Sequence, residues 1–283
     1  MRRLSSCLLL AASLLVAPPV PAASPAAAAP LPATDASPLV IGETFAIDSA
    51  VLGETRRINV YRPAAWNLAP GQPLPVLYMP DGGAGEDFLH VAGLLQVLGG
   101  NGGMRPFLLV GIENTERRRD MTGPTTVAED RKIAPRVGGS AAFRRFLAEE
   151  LMPQVRTRYT TTGETAIIGE SLAGLFVVET LLLAPDMFDS YIALDPSLWW
   201  NGRALLDKAP GLLAAHPATD ARLFIASSNE ATIAPLAARF AQTVEASAPA
   251  IKGIYRPMPE ETHGSLYHPA ALAAFRTLFK PGP

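Results

Sequence analysis

Short apolar runs alternate along the chain with longer segments in which apolar residues recur every three or four positions. The first pattern predicts buried strands, and the second predicts helices that cover them. An early pair of strands is predicted near 39–48 and 51–63, the second antiparallel. Further strands are predicted at 75–79, 107–112, 166–169, 190–194, 222–226 and 251–256. Helices are predicted at 87–98, 141–158, 172–183, 203–213, 233–246 and 269–279. This alternation implies crossover connections and therefore an α/β fold, in which a mostly parallel sheet carries helices on both faces.

The N-terminal region differs in composition from the rest of the chain. Arg2 and Arg3 precede an apolar stretch at 8–16, and small residues follow near 20–24. This pattern is typical of a signal peptide spanning residues 1–24, so we expect an exported protein, either periplasmic or secreted. Residues 25–38 consist largely of Ala and Pro, which predicts a linker without a core of its own. Residues 39–283 are long enough for one α/β domain.

Charge and cysteine content exclude several classes of function. Without Arg2 and Arg3 the chain has 22 basic residues against 26 acidic ones, a net charge of −4. This charge is not the basic footprint of a nucleic-acid-binding protein, so the expected partner is a small molecule. Stable membrane insertion is not expected, because no run approaches the roughly 20 apolar residues of a spanning helix. Cys7, the only cysteine, lies in the predicted signal peptide, so we expect neither a disulfide nor a cysteine-bound metal in the mature protein. No motif for a cofactor is recognised, and none is expected.

A glycine-rich turn, Gly169-Glu-Ser-Leu-Ala-Gly174, connects a predicted strand to a predicted helix. A serine in such a turn is typical of the nucleophile elbow of the α/β-hydrolase fold. A serine hydroxyl is a weak nucleophile, so it must stand clear of the backbone, where a histidine can take its proton. The two glycines lack the Cβ atoms that would obstruct the turn. Ser171 is therefore the predicted nucleophile, and an α/β-hydrolase is the predicted fold.

The base and the acid are expected to follow the nucleophile, with the acid first. His263 lies in a flexible loop after the last predicted strand and is the predicted base, whereas His268 begins the final helix. Glu230 follows the next-to-last strand and is the predicted acid. Asp195 follows the strand before that one and is the alternative.

Substrate-binding groups are expected around this centre. The oxyanion needs two backbone donors, for which we predict Leu172, directly after the nucleophile, and Gly82 or Gly83, in the loop after the strand at 75–79.

Two further side chains have open interpretations. Trp199 either forms an aromatic wall for an aryl or acyl group or packs against the core. Arg117 either attracts an anionic substrate or pairs with an adjacent acid, Glu116 or Asp120.

Four separated motifs occur in the chain, PVLYMPDG at 75–82, VGIEN at 110–114, GESLAGLF at 169–176 and PSLWWN at 196–201. In this order, and over about 40–279, they resemble the putative-esterase family, which includes enterobactin-type siderophore esterases, esterase D-like enzymes and mycolyltransferase-like relatives. The resemblance implies serine-dependent ester cleavage without a metal, and it supports Ser171, His263 and Glu230. The family more often has His at the position of Glu170 and Ser at the position of Asp195.

The predicted function is that of an exported serine esterase, which hydrolyses siderophore-type or other small aryl or acyl esters through an acyl-enzyme. One alternative is an acyltransferase, in which an alcohol rather than water attacks the same acyl-enzyme. A second alternative is a hydrolase-fold binding protein without catalysis, although the presence of a serine, a histidine and suitable carboxylates argues against it.

Overall fold

The computed structural model describes residues 37–65 and 68–282. Ile41–Pro283 forms one compact unit, and residues 37–40 are exposed and lack regular secondary structure. The predicted signal peptide at 1–24 and most of the predicted linker at 25–38 lie outside the described residues, so both stay predictions. No helix in the described ranges has the length and apolar composition needed to cross a membrane.

Eight strands form a single sheet in the described part of the chain, in the order β1-β2-β4-β3-β5-β6-β7-β8. The strands are β1 (Glu43–Ser49), β2 (Glu54–Tyr61), β3 (Leu74–Pro80), β4 (Leu108–Ile112), β5 (Thr161–Glu170), β6 (Ser190–Leu194), β7 (Arg222–Ser227) and β8 (Lys252–Pro257). Strand β2 is antiparallel to both β1 and β4, and the six strands β4, β3, β5, β6, β7 and β8 are parallel to one another. The predicted mostly parallel sheet is confirmed.

The helices follow the predicted segments closely. They are α1 (Phe88–Gly100), α2 (Arg117–Asp120), α3 (Ser140–Phe146), α4 (Met152–Arg158), α5 (Leu172–Leu183), α6 (Ala204–Ala214), α7 (Ala234–Ser247) and α8 (Tyr267–Leu278), with short 3-10 turns at Asp130–Lys132, Pro185–Met187 and Trp200–Arg203. The single helix predicted at 141–158 is interrupted by a π-helical turn, Leu147–Leu151. Pro153 explains the interruption, because it has no N–H and its ring clashes with the carbonyl four residues earlier.

The parallel strands are buried on both faces, as their nearly unbroken apolar sequences require. In β3, Leu74, Val76 and Tyr78 face the core that α5 covers. Leu77 and Met79 face the opposite core, which α1 and α8 cover. Helices therefore lie on both faces of the sheet, as predicted.

The carboxyl ends of the central strands bring distant parts of the chain to one edge of the sheet. Glu170, the last residue of β5, pairs with Leu194, the last residue of β6, and Leu194 pairs with Ala226 near the end of β7. The residues that directly follow these three strands are therefore neighbours. In parallel sheets this edge is the usual location of ligand sites.

Candidate active site

Ser171 occupies the sharp turn between β5 and α5. Its backbone has φ 60° and ψ −118°, a conformation that residues other than glycine rarely adopt and that is concentrated at functional sites. Its amide donates to the carbonyl of Leu194 at 3.0 Å, and its carbonyl accepts from the amide of Ser197 at 3.0 Å. The predicted elbow is present, and backbone contacts hold it from two sides.

The two glycines of the elbow are required by close backbone approach. A Cβ atom at Gly169 would lie 2.6 Å from the backbone of Ala173, and one at Gly174 would lie 2.9 Å from the carbonyl oxygen of Leu194. Both distances are too short for non-bonded atoms. The strand, the turn and the first turn of α5 can therefore pack this closely only with glycine at both positions.

His263 connects the nucleophile to an acid. Its Nε2 lies 3.1 Å from Oγ of Ser171, and its Nδ1 lies 2.8 Å from Oδ2 of Asp195. The imidazole ring belongs to the loop between β8 and α8, and 39% of its side chain is exposed. When Nδ1–H donates to the carboxylate, Nε2 is free to accept the proton of Ser171, which is the arrangement that activates a serine.

Asp195 is held as a carboxylate by its surroundings. It is fully buried and directly follows β6. The amide of Ser228 donates to its Oδ1 at 2.7 Å and the hydroxyl of Ser228 to its Oδ2 at 2.5 Å. Burial opposes its ionisation, but the hydrogen bonds from His263 and Ser228 keep its pKa below the ordinary aspartate value. The hydrogen bond to Asp195, opposed by partial burial and aided by nearby carboxylates, raises the pKa of His263.

The acid predicted first, Glu230, is wrong for this geometry. Its Oε1 accepts from the amide of Thr232 at 3.2 Å and from its hydroxyl at 3.0 Å, and thus stabilises the turn before α7. Glu230 lies three residues beyond the end of β7, whereas Asp195 follows β6 directly, at the same edge as Ser171. The carboxylate that contacts Nδ1 of His263 is therefore that of the alternative acid, Asp195.

The alternative base, His268, is not at the centre either. Its ring packs against that of His90, with the centroids 5.5 Å apart. The imidazole that contacts Ser171 is that of His263, as the sequence predicted.

One of the predicted oxyanion donors is available, and two are not. Leu172 is the first residue of α5, and its amide has no acceptor in the part of the chain that the structure describes. The amide of Gly82 donates to the carbonyl of Ile112 at 2.9 Å, and that of Gly83 donates to the carboxylate of Glu86 at 2.7 Å. Gly82 has a packing role instead, because a Cβ atom there would overlap the backbone of β4.

Arg117 lies beside the elbow, and its positive charge is balanced by a carboxylate. Its Nε and Nη2 donate to the two carboxylate oxygens of Asp81 at 2.7 and 2.9 Å, and Nη2 lies 3.5 Å from the carbonyl of Glu170. Burial disfavours the charged guanidinium, but the contacts with Asp81 raise its pKa and keep it charged. Arg117 is therefore paired with an acid, but its partner is Asp81 and not the adjacent Glu116 or Asp120.

Trp199 and its neighbour Trp200 differ in role. Trp200 is buried, and its indole N–H donates to the carbonyl of Gly123 at 2.8 Å. Trp199 is half-buried against the same core. Leu198 separates Trp199 from Ser197, and Oγ of Ser197 lies 3.4 Å from Oγ of Ser171. A contact of Trp199 with substrate stays a prediction.

Glu170 was not predicted as a site residue. Its Oε1 lies 3.3 Å from Nδ1 of His263, and burial raises its pKa to about 7. The available signals were its position directly before the nucleophile and its departure from the resembled family. Glu170, Asp195 and His263 also form the one group in the described residues with the spacing of metal ligands. A metal there would engage the imidazole that Ser171 needs.

Comparisons with known proteins identify a family and several similar esterases. A family model described as "Putative esterase" matches residues 49–248. The ferri-bacillibactin esterase of Bacillus subtilis is 33% identical over 171 residues, which are 55% of this chain and 58% of that protein. The siderophore triacetylfusarinine C esterase of Aspergillus fumigatus is 29% identical over 191 residues, 61% of each protein. The chain thus spans about three fifths of the length of these relatives.

A solved structure supports the assignment of the fold. An IroE-like serine hydrolase from Shewanella oneidensis superposes with a TM-score of 0.76 and 27% identity, over 84% of this chain and 80% of that one. Together with the strand order, this likeness confirms the predicted α/β-hydrolase fold.

Proposed function

Because the chain belongs to the putative-esterase family, we propose that it is a serine esterase that hydrolyses carboxylic esters through an acyl-enzyme on Ser171. One observation carries the proposal. Oγ of Ser171, the imidazole of His263 and the buried carboxylate of Asp195 form a continuous hydrogen-bonded series at 3.1 and 2.8 Å. The 3.1 Å contact is within the hydrogen-bond reach that a general base needs to take the proton of the serine.

In the acylation step, Nε2 of His263 takes the proton of Ser171 while Oγ attacks the ester carbonyl carbon. The carbonyl oxygen becomes an oxyanion, and the amide of Leu172 at the N-terminus of α5 is placed to donate to it. When the carbon–oxygen bond to the alcohol breaks, the imidazolium returns its proton to the leaving oxygen. The acyl group remains on Ser171.

In the deacylation step, water replaces the alcohol. His263 takes a proton from the water, whose oxygen attacks the acyl carbon, and the imidazolium then protonates Oγ as the acid leaves. The imidazolium forms twice in each cycle, and Asp195 stabilises it both times. Asp195 meets this requirement because the two hydrogen bonds from Ser228 keep it ionised and in place.

We propose siderophore-type esters as the substrate class. The support comes from the relatives, which are esterases of ferri-bacillibactin and of triacetylfusarinine C. The open centre is compatible with a large ester, because Ser171 is only half-buried and 39% of the His263 side chain is exposed.

Export is a further part of the proposal. It rests on the basic start, apolar stretch and small residues of the first 24 residues. Fractionation of cells that express the full chain, with N-terminal sequencing of the product, tests this part. A product that keeps residues 1–24 and stays in the cytoplasm would contradict it.

A fluorophosphonate probe tests the enzymatic proposal, because only an activated serine reacts quickly with it. Hydrolysis is then measured on p-nitrophenyl butyrate, bacillibactin, enterobactin and triacetylfusarinine C, each siderophore with and without iron. We expect labelling of Ser171 and cleavage of at least one siderophore. Labelling without siderophore cleavage would support the serine esterase and contradict the proposed substrate class. Absence of labelling would contradict both proposals.

A further inference from the structure

Two carboxylates approach the same nitrogen of His263. Oδ2 of Asp195 lies 2.8 Å from Nδ1, and Oε1 of Glu170 lies 3.3 Å from it. A neutral imidazole with its proton on Nδ1 has a single N–H to offer there. Asp195 has the shorter contact, and Glu170 is close enough to share the hydrogen or to replace Asp195 as its acceptor.

Glu170 has no other partner that accounts for its position. Only 15% of its side chain is exposed, and its buried Oε1 has no hydrogen bond within the described residues. His263 is the one cationic group within ion-pair distance in that part of the chain. A buried carboxylate without compensation is costly, so its negative charge is best tolerated when His263 is positively charged.

The charged surroundings of Glu170 point to the same state. The groups that act on it are His263 and Arg117, which favour its ionisation, and Asp195 and Asp81, which oppose it. The guanidinium of Arg117 is already engaged by both oxygens of Asp81. The imidazolium of His263 is therefore the cation left to balance Glu170, and that imidazolium is the species formed when Ser171 loses its proton.

We propose that Glu170 is a second positioning residue for His263, which supports the imidazolium together with Asp195 and holds the ring when the carboxylate of Asp195 is removed. The inference rests on the proposed function, because it assigns a role within the same reaction. Asp195 is the principal partner, since Ser228 fixes it with two hydrogen bonds. Glu170 is the reserve partner, with no such support.

Amide substitutions test this division of roles, with p-nitrophenyl acetate as a small neutral substrate. The kcat of Asp195→Asn should fall by only about 100-fold, less than the roughly 10⁴-fold loss seen when a triad acid without a substitute becomes an amide. In the double variant Asp195→Asn/Glu170→Gln the loss should reach roughly that 10⁴-fold value. Glu170→Gln alone should lower kcat much less than Asp195→Asn.

Glu230→Gln is the matched control. Glu230 also acts on His263 through its charge, but its carboxylate bonds to Thr232 and does not touch the ring. Adding Glu230→Gln to Asp195→Asn should therefore leave kcat at the value of Asp195→Asn. Circular dichroism and thermal unfolding of each variant establish that the compared proteins are folded. Should Glu170→Gln not fold, Glu170→Asp keeps the charge with a shorter reach, and combined with Asp195→Asn it should lower kcat further.

The titration of His263, followed by NMR of the imidazole nitrogens, provides a readout that does not depend on turnover. Glu170→Gln should lower the pKa of His263, and Glu230→Gln should lower it less. A double variant no slower than Asp195→Asn, with an unchanged titration in Glu170→Gln, would overturn the role of Glu170. A wild-type protein that is neither labelled nor active would instead remove the proposed function, and the titration would still decide whether Glu170 acts on His263.

Discussion

Asp195 and His263 are 68 residues apart in the chain, yet Oδ2 of Asp195 lies 2.8 Å from Nδ1 of His263. The contact forms because Asp195 directly follows β6, next to the strand that carries Ser171, while the loop after β8 brings His263 over the same edge. The buried position of Asp195 and its two bonds from Ser228 make it a fixed support. His263 is thereby held with Nε2 toward the nucleophile.

Replacing Ser171 with alanine should abolish labelling by the fluorophosphonate probe and lower kcat by roughly 10⁶-fold, as removal of a triad nucleophile does. The fold should persist, because the backbone contacts of the elbow do not involve the hydroxyl. Labelling and the rate of p-nitrophenyl butyrate hydrolysis measure the effect. Ser197→Ala is the control, since its hydroxyl is near Ser171, whereas the hydrogen bonds of the His263 ring within the described residues go to Ser171 and Asp195, and it should remain labelled. Undiminished labelling of Ser171→Ala would place the reactive serine elsewhere.

The two candidate acids should differ sharply in their amide variants. Asp195→Asn removes the carboxylate that contacts His263 and should lower kcat by about 100-fold, limited by the reserve carboxylate nearby. Glu230→Gln alters only a turn contact with Thr232 and should change kcat by less than about twofold, within the range of an ordinary surface substitution. Steady-state kinetics on a single ester compare the two. If Glu230→Gln lost its activity while Asp195→Asn kept it, the acid would be Glu230, as first predicted.

The sequence predicted the fold well, because periodicity and breakers are local signals. Helix α5 and strand β6 have the predicted bounds, 172–183 and 190–194. The elbow could also be predicted from the sequence, since its glycines reflect close backbone contacts around one strand–turn–helix unit. Ser171 and His263 were found for the same reason, as each lies in a loop that the order of elements identifies.

The acid and the oxyanion loop could not be predicted because they depend on contacts between distant segments. Asp195 and Glu230 both follow strands, and what distinguishes them is the contact of Asp195 with His263, 68 residues away in the chain. Gly82 suggested a free backbone donor, but the glycine is needed for close approach to β4. A glycine pattern alone does not show whether a ligand or another strand is the close neighbour.

Two helical glycines should respond oppositely to alanine. Gly174→Ala places a methyl 2.9 Å from the carbonyl of Leu194, and such overpacking costs about 1–3 kcal/mol. Gly93 is exposed in α1, and a methyl group there would point into open space, with no neighbouring group within 4 Å. Gly93→Ala should therefore stabilise the protein by about 0.5–1 kcal/mol. Urea unfolding measures both free energies. A Gly174→Ala protein as stable as Gly93→Ala would contradict the close packing at the elbow.

Removal of metal ions should leave the activity unchanged. The proposed steps use only Ser171, His263, Asp195 and a backbone amide, and the cluster with metal-ligand spacing is the one that holds the base. Dialysis against a chelator, followed by the ester assay with and without added Zn²⁺ or Mg²⁺, checks this expectation. Inactivation by the chelator with rescue by one ion would require a mechanism that uses a metal.

The pH dependence of kcat/KM for a neutral ester should report the ionisation of His263. The ring must be neutral to take the proton of Ser171, so activity is complete at high pH and is lost as the pH falls through the pKa of His263. The hydrogen bond to Asp195 raises that pKa, partial burial opposes the rise, and the charge of Glu170 adds to it. The acid limb, the fall of kcat/KM on the acid side of the pH profile, should therefore have its midpoint above the ordinary histidine pKa of 6.5.

The shape of that limb carries additional information. Glu170 has a pKa of about 7 because of its burial, and its Oε1 lies 3.3 Å from Nδ1 of His263, so the two groups lose their protons as a coupled pair. Glu170→Gln should leave a single ionisation and move the limb to lower pH, since it removes a charge that favours the imidazolium. Rate profiles between pH 5 and 9, on the order of a few units around the histidine pKa, resolve both effects. His268→Ala should keep the limb unchanged, and a limb at or below 6.5 in the unaltered protein would mean that desolvation of His263 outweighs its two carboxylates.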